Sequence, residues 1–166
     1  IQVGSKKGKS RVYELKDNGR MQRGLFTLDQ ATDDWYGKLY YQILVNRLKR
    51  KTYYTLLGMD FNNSLSTIKT VEDITIQRNT PRFIKSLFYN GREYVDRLVL
   101  EYSDQVAISV RYDPGTDMIS FDQLVPFHPI YEKNYEFYGP DGSFDGLEFS
   151  DGLWNYRDDI DARNVD

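Results

Sequence analysis

Three Asp-Gly pairs, at 141, 145 and 151, stand among aromatic residues in the stretch from Phe137 to Asp161. Asp-Gly supplies the positive-φ residues of a tight hairpin turn, and aromatic and β-branched side chains suit a pleated, half-buried surface. A segment punctuated this way points to antiparallel strands, and the same period of two recurs upstream. Leu39, Tyr41, Ile43 and Val45 alternate with Tyr40, Gln42 and Leu44, so both faces are largely apolar, which predicts a central strand buried on two sides. Asn46-Arg-Leu-Lys-Arg-Lys51 reads as a basic connector into the returning strand Thr52–Met59. Asp113-Pro-Gly-Thr-Asp117 presets a turn between the alternating residues 106–112 and the strand Met118–Asp122, because Pro fixes φ and Gly permits positive φ. Asn90-Gly91 and Asp151-Gly152 mark two further hairpins, and Ile68, Val71, Ile74 and Ile76 predict a strand over 64–76.

Helical spacing competes only near 19–36, where Met21, Leu25 and Leu28 share a face but Gly19 and Gly24 weaken it, so at most one short helix is expected there. The two prolines of Val125-Pro-Phe-His-Pro129 predict irregular chain, and no repeat of fixed period occurs. Successive hairpins then predict an all-β fold, an antiparallel meander packed as a sandwich or an open barrel. At 166 residues one domain suffices, and no run approaches the roughly 18 apolar residues of a membrane helix. The chain opens at Ile1 with no charged and apolar leader, as a processed or trimmed chain would.

Net charge is -3 but unevenly placed. Residues 1–23 hold seven Lys/Arg against Glu14 and Asp17, whereas residues 138–166 hold eight acids against Arg157 and Arg163. This divides the chain into a basic N-terminal arm or edge segment, 1–23, and a single β-rich domain, 24–166. The arm lacks the aromatic ladder of single-strand binders, so no nucleic-acid partner is expected, and its charges read as solvated or paired with the acidic end.

Several chemistries are excluded by count. Cysteine is absent, removing disulfides and thiolate metal sites, and His128 is the one histidine on which a Ser-His-Asp triad would rest. No Gly-rich nucleotide loop and no Gly-x-Ser-x-Gly occurs. A carboxylate-dependent hydrolase stays open as an alternative, with Asp96, Glu101, Asp104, Asp113, Asp117 and Asp122 as candidates by type, although Asp at turns and strand ends usually serves local hydrogen bonds. A second alternative is a calcium-stabilised structural domain. Asp141, Ser143 and Asp145, with the Leu147 carbonyl, repeat the first half of a calcium loop, but the twelfth position is Gly152 where a bidentate Glu is expected. The same Asp-Gly residues also satisfy a plain hairpin between 141 and 146. No other cofactor is expected.

Fourteen Tyr, nine Phe and two Trp exceed what a core of this size needs, so some rings are expected to face outward. The pool is Tyr36, Tyr40, Tyr53, Tyr54, Tyr135, Tyr138, Trp154 and Tyr156; Tyr138, Trp154 and Tyr156 lie beside Asp, Asn and Arg and are the candidate ligand-binding residues. Flat rings with polar tips suit a protein interface or a glycan. The leading expectation is a non-enzymatic binding module using an aromatic-rich face, oligomeric state open.

Four blocks together carry a resemblance: Tyr53-Tyr-Thr-Leu-Leu-Gly-Met-Asp60, Glu101-Tyr-Ser-Asp-Gln-Val-Ala-Ile-Ser-Val-Arg-Tyr-Asp113, Met118-Ile-Ser-Phe-Asp122, and Tyr138-Gly-Pro-Asp-Gly-Ser-Phe-Asp-Gly146 with Asp159-Ile-Asp-Ala-Arg-Asn164. Over residues 35–164 the chain resembles the C-terminal part of a group of uncharacterised, exported proteins of Bacteroidota. The resemblance implies a periplasmic or surface location and a larger parent protein, and it assigns no activity to any residue. The basic arm lies outside it.

Overall fold

A computed structural model describes residues 1–4, 8–17, 35–85, 87–90 and 92–161. In chain order the strands are β1 (Gln2–Gly4), β2 (Ser10–Val12), β3 (Leu39–Leu48), β4 (Lys51–Asp60), β5 (Ser66–Gln77), β6 (Thr80–Phe83), β7 (Phe88–Tyr89), β8 (Tyr94–Val95), β9 (Arg97–Ser103), β10 (Val110–Asp113), β11 (Met118–Pro126), β12 (Tyr138–Ser150) and β13 (Leu153–Arg157). Short 3-10 turns at Pro129–Tyr131 and Tyr135–Phe137 are the helical elements among the described residues. The short helix expected near 19–36 falls mostly outside them.

The all-β, antiparallel expectation holds, as two packed sheets with no closed barrel. In the first sheet β5 is the hub: β4 runs along one side, β9 and then β6 along the other, and β3 closes the order beyond β4. In the second the order is β10-β11-β12-β13-β7-β8, with β13 and β7 as a parallel pair. β5 takes the centre because its Thr, Val and Ile residues tolerate burial on both faces, and nine of its twelve residues are buried. β3, predicted to be central, is an edge strand. Leu44 and Leu48 turn into the core while Leu39, Ile43 and Val45 remain exposed, so its two apolar faces have separate destinations. The predicted basic connector also shrinks to Lys49-Arg50, with Lys49 at φ 54, because Asn46, Arg47 and Leu48 keep pairing with Tyr53, Thr52 and Lys51.

Of the three Asp-Gly pairs only the last makes a hairpin, with Asp151 at φ 52 and Gly152 at φ 84 joining β12 to β13. Asp145-Gly146 lies mid-strand, opposite Phe121 and Ser120 of β11, so the plain hairpin read between 141 and 146 does not form. Asp141-Gly142 sits where the β11–β12 register shifts, and Gly142 adopts φ 94. The Asp113–Asp117 turn forms as expected, Asp113 Oδ1 accepting from the Gly115 amide at 2.8 Å. Asn90 Oδ1 likewise caps its loop, taking the amides of Arg92 and Glu93. β10 begins only at Val110, and β11 runs through to Pro126 before the irregular loop starts.

Between the sheets Tyr53, Leu57 and Val71 meet Phe88, Ile119, Phe121, Leu147 and Trp154. Trp154 stacks on Phe88 and donates from Nε1 to Asp73 Oδ2 at 2.9 Å, pinning β13 of one sheet to β5 of the other. Burying a ring of this size is worth roughly 2 to 3 kcal/mol. A second, smaller core of Leu56, Ile74 and Phe83 lies on the outer face of the first sheet. The described part of the basic arm folds against it: β1 pairs with β2, Leu15 packs on the core, and Tyr13 donates its hydroxyl proton to the Asn79 carbonyl at 2.6 Å.

Candidate functional site

The outer face of the first sheet divides into a polar and an apolar half, and a bulge in β3 joins them. Along β4 and β5 the even positions, Tyr54, Leu56 and Gly58 with Thr70, Glu72, Ile74 and Ile76, share this face by strict alternation. On β3 the register shifts between Tyr40 and Gln42. A bulge consumes one extra residue, so Tyr40, Ile43 and Val45 all reach the same side despite their mixed parity.

The polar half is a buried ion-pair cluster. Glu72 has no exposed surface; Lys38 Nζ lies 3.0 Å from its Oε1 and Arg97 Nε 3.4 Å from its Oε2. The Tyr40 hydroxyl donates to Glu72 Oε1 and itself accepts from Trp35 Nε1 at 2.9 Å. Burial draws the Lys38 ammonium down to about 8, against the pull of Glu72, and burial beside the Glu72 carboxylate raises the Tyr40 phenol. Gly58 makes room for this packing: a Cβ there would lie 2.8 Å from Lys38 Cδ and 3.1 Å from Tyr40 Cδ1. Two cations share one enclosed carboxylate, tying β5 to β9 and to the chain entering β3, so the cluster anchors the sheet face.

The apolar half is a groove of about 660 Å³ between the N-terminal hairpin and β3, walled by Trp35, Tyr40, Ile43, Val45, Tyr54 and Ile76. Ile43 is 61% and Val45 53% exposed, while Trp35 and Tyr40 turn their polar tips into the Glu72 cluster at the groove's end. β3 is the terminal strand of the sheet order. Near its start it is tied to β10 of the second sheet, the Tyr41 hydroxyl donating to the Val110 carbonyl at 2.9 Å and Gln42 Oε1 accepting from the Tyr112 amide at 3.5 Å. From Ile43 to Leu48 no described strand pairs with its outer side, and the side-chain nitrogen Nδ2 of Asn46 is buried with no acceptor among the described residues.

The residues singled out from the sequence lie elsewhere. Trp154 is 1% exposed in the main core and presents no face to a ligand. Tyr138 packs against Tyr135 with its ring tilted by 52° and the centroids 5.0 Å apart, and its hydroxyl accepts from the Lys133 amide at 2.9 Å, while Tyr156 packs on Phe121 and donates to Asp145 Oδ2. Asp145 is buried, and its Oδ1 accepts from the Asp159 amide at 3.1 Å. Asp141 is exposed, where Oδ1 accepts from the Ser143 amide and hydroxyl; that hydrogen bonding lowers its carboxyl. The Leu147 residue is buried on β12. Among the described residues no group of three His, Asp or Glu is arranged to hold a metal. Of the carboxylates named for hydrolysis, Glu101 accepts from Asn62 and Ser66, Asp113 from Gly115, Asp117 from the Tyr112 hydroxyl and Asp122 from the Ser109 amide. His128 Nδ1 caps the first 3-10 turn by accepting from the Ile130 amide.

Sequence reasoning passed over Lys38, Glu72 and Arg97. The signal was present in Val71-Glu-Asp-Ile74: adjacent acids inside a β-branched run point to opposite faces, so in a doubly covered strand each needs its own polar partner. Compared with family models, with curated proteins and with solved structures, the chain has no significant match.

Proposed function

We propose that this chain is a non-enzymatic binding module that receives an extended, apolar segment of a partner protein along the free side of β3 and in the groove beside it. The carrying observation is that a ten-residue edge strand leaves Leu39, Ile43 and Val45 exposed. An edge strand offers unpaired backbone groups as a template, and natural proteins usually blunt such edges with charge or Pro unless a partner covers them. The exposed aliphatic residues of β3 favour a peptide over a glycan, since sugar stacking needs flat rings open to solvent, whereas Tyr40 is held by its hydrogen bond to Glu72 and Trp35 by its hydrogen bond to Tyr40. On the sequence resemblance alone we take the partner to be extracytoplasmic.

The test is selection from a random-peptide display library against the native chain and against Ile43→Lys/Val45→Lys, whose positions are exposed enough for the fold to persist. Alternating apolar peptides should be enriched by the native chain and bind the variant at least about tenfold more weakly, a loss near 1.4 kcal/mol. Equal enrichment by both, or none by the native chain, would falsify the reading.

A further inference from the structure

The β3–β4 turn ends the exposed strand in a run of cations. Arg47, Lys49, Arg50 and Lys51 are all exposed, and at the same end of the sheet the β5–β6 turn adds Arg78 and β6 adds Arg82, with Lys85 beyond. The fold brings these turns together. Lys51, Gln77, Arg82 and Lys85 line one concavity of about 110 Å³, and Gln77, Arg78, Thr80 and Arg82 line an adjoining one of about 500 Å³. Residues 46–52 and 74–92 contain no acid, in a chain whose net charge is -3. None of the ion pairs among the described residues involves these cations. Asp151 lies in the neighbouring β12–β13 turn, whose Gly152 packs against Leu48.

Resting on the reading of β3 as the partner-binding edge, we infer that the partner segment carries a run of Asp or Glu on the flank that lies over the β3–β4 turn. The apolar edge and the cationic end are continuous along one strand, so one extended peptide meets both. β3 pairs antiparallel with β4, and antiparallel ladders are the more stable per residue, which sets the acidic flank N-terminal to the partner's strand. Exposed ion pairs of this kind contribute little each, but several of one sign steer encounter and fix orientation and register. A single-stranded nucleic acid fits less well: the cations interleave with no exposed ring for base stacking, and the adjacent apolar strand would have no use.

The same display selection is repeated at low and high ionic strength with Arg47→Glu/Arg50→Glu. The native chain should enrich apolar-alternating peptides preceded by Asp or Glu, and the charge-reversed variant should keep the alternation while losing the acidic bias. High salt should erase the bias in the native chain as well. Alternation without any acidic bias overturns the inference and leaves the β3 reading standing; absence of alternation overturns both. Tight single-stranded DNA binding that depends on Arg47 and Arg50, with no acidic bias in the peptides, overturns it in favour of a polyanion.

Discussion

At the scale of single residues, Asp73 sets the pH response of the fold. It is fully enclosed between the sheets, where Thr55 and Trp154 donate to its two oxygens. Burial nonetheless outweighs those donors and pushes its carboxyl up to about 7 from 3.8. An acid whose folded value is raised favours the folded state most when protonated. Its stabilising contribution is therefore complete below about pH 4 and is lost as pH rises to about 7, a change of order 4 kcal/mol. Lys38, drawn down to about 8, titrates above that window. Asp73→Asn keeps an acceptor for Trp154 and removes the charge. Urea denaturation from about pH 4 to pH 8 should then give a falling stability for the native chain and a much flatter line for the variant; parallel lines would discard Asp73 as the source.

At the scale of strands and turns, β12 holds the acidic segment that most resembled a metal loop. Both oxygens of Asp145 are engaged within the fold, one by the Tyr156 hydroxyl and one by the Asp159 amide, so that side chain ties β12 to β13 and to the chain beyond it. Asp145→Ala removes two hydrogen bonds to a buried carboxylate and should cost about 2 to 4 kcal/mol. The fall in melting temperature should be the same in chelator and in millimolar calcium; a fall seen only with calcium would restore the loop as a metal site. Turn chemistry was the most legible part of the fold, since Asp151-Gly152 and Asp113-Pro-Gly-Thr-Asp117 carry their geometry in their own residues. Asp145-Gly146 misled because the dipeptide permits a turn without requiring one: strand pairing on both sides holds it extended, and the missing Cβ of Gly146 leaves room for Ile160, which a Cβ would approach to 3.0 Å.

At the scale of the whole molecule, strand order decides which apolar residues are buried, and order is not encoded in alternation. β3 reads as a two-faced apolar strand and the segment of β5 only as a strand, yet β5 pairs on both sides and β3 on one, which turns Ile43 and Val45 from expected core into exposed surface. The candidate site was hidden for the same reason, since it depends on an edge, a bulge and the packing of an N-terminal hairpin that lies far away in sequence. An exposed apolar edge has a consequence for the isolated chain. Its charges keep copies apart, and that protection weakens near the isoelectric point of about 5.3, where edge-to-edge pairing of β3 competes with solution. Light scattering should rise near that pH with the far-ultraviolet dichroism unchanged, because part of the Asp73 contribution is still present there and the fold persists. Ile43→Lys/Val45→Lys raises the isoelectric point, so the comparison is made at each chain's own point of zero net charge, where the variant should scatter far less. Equal scattering at those matched points would show that association runs through another surface and that the β3 edge is protected in solution.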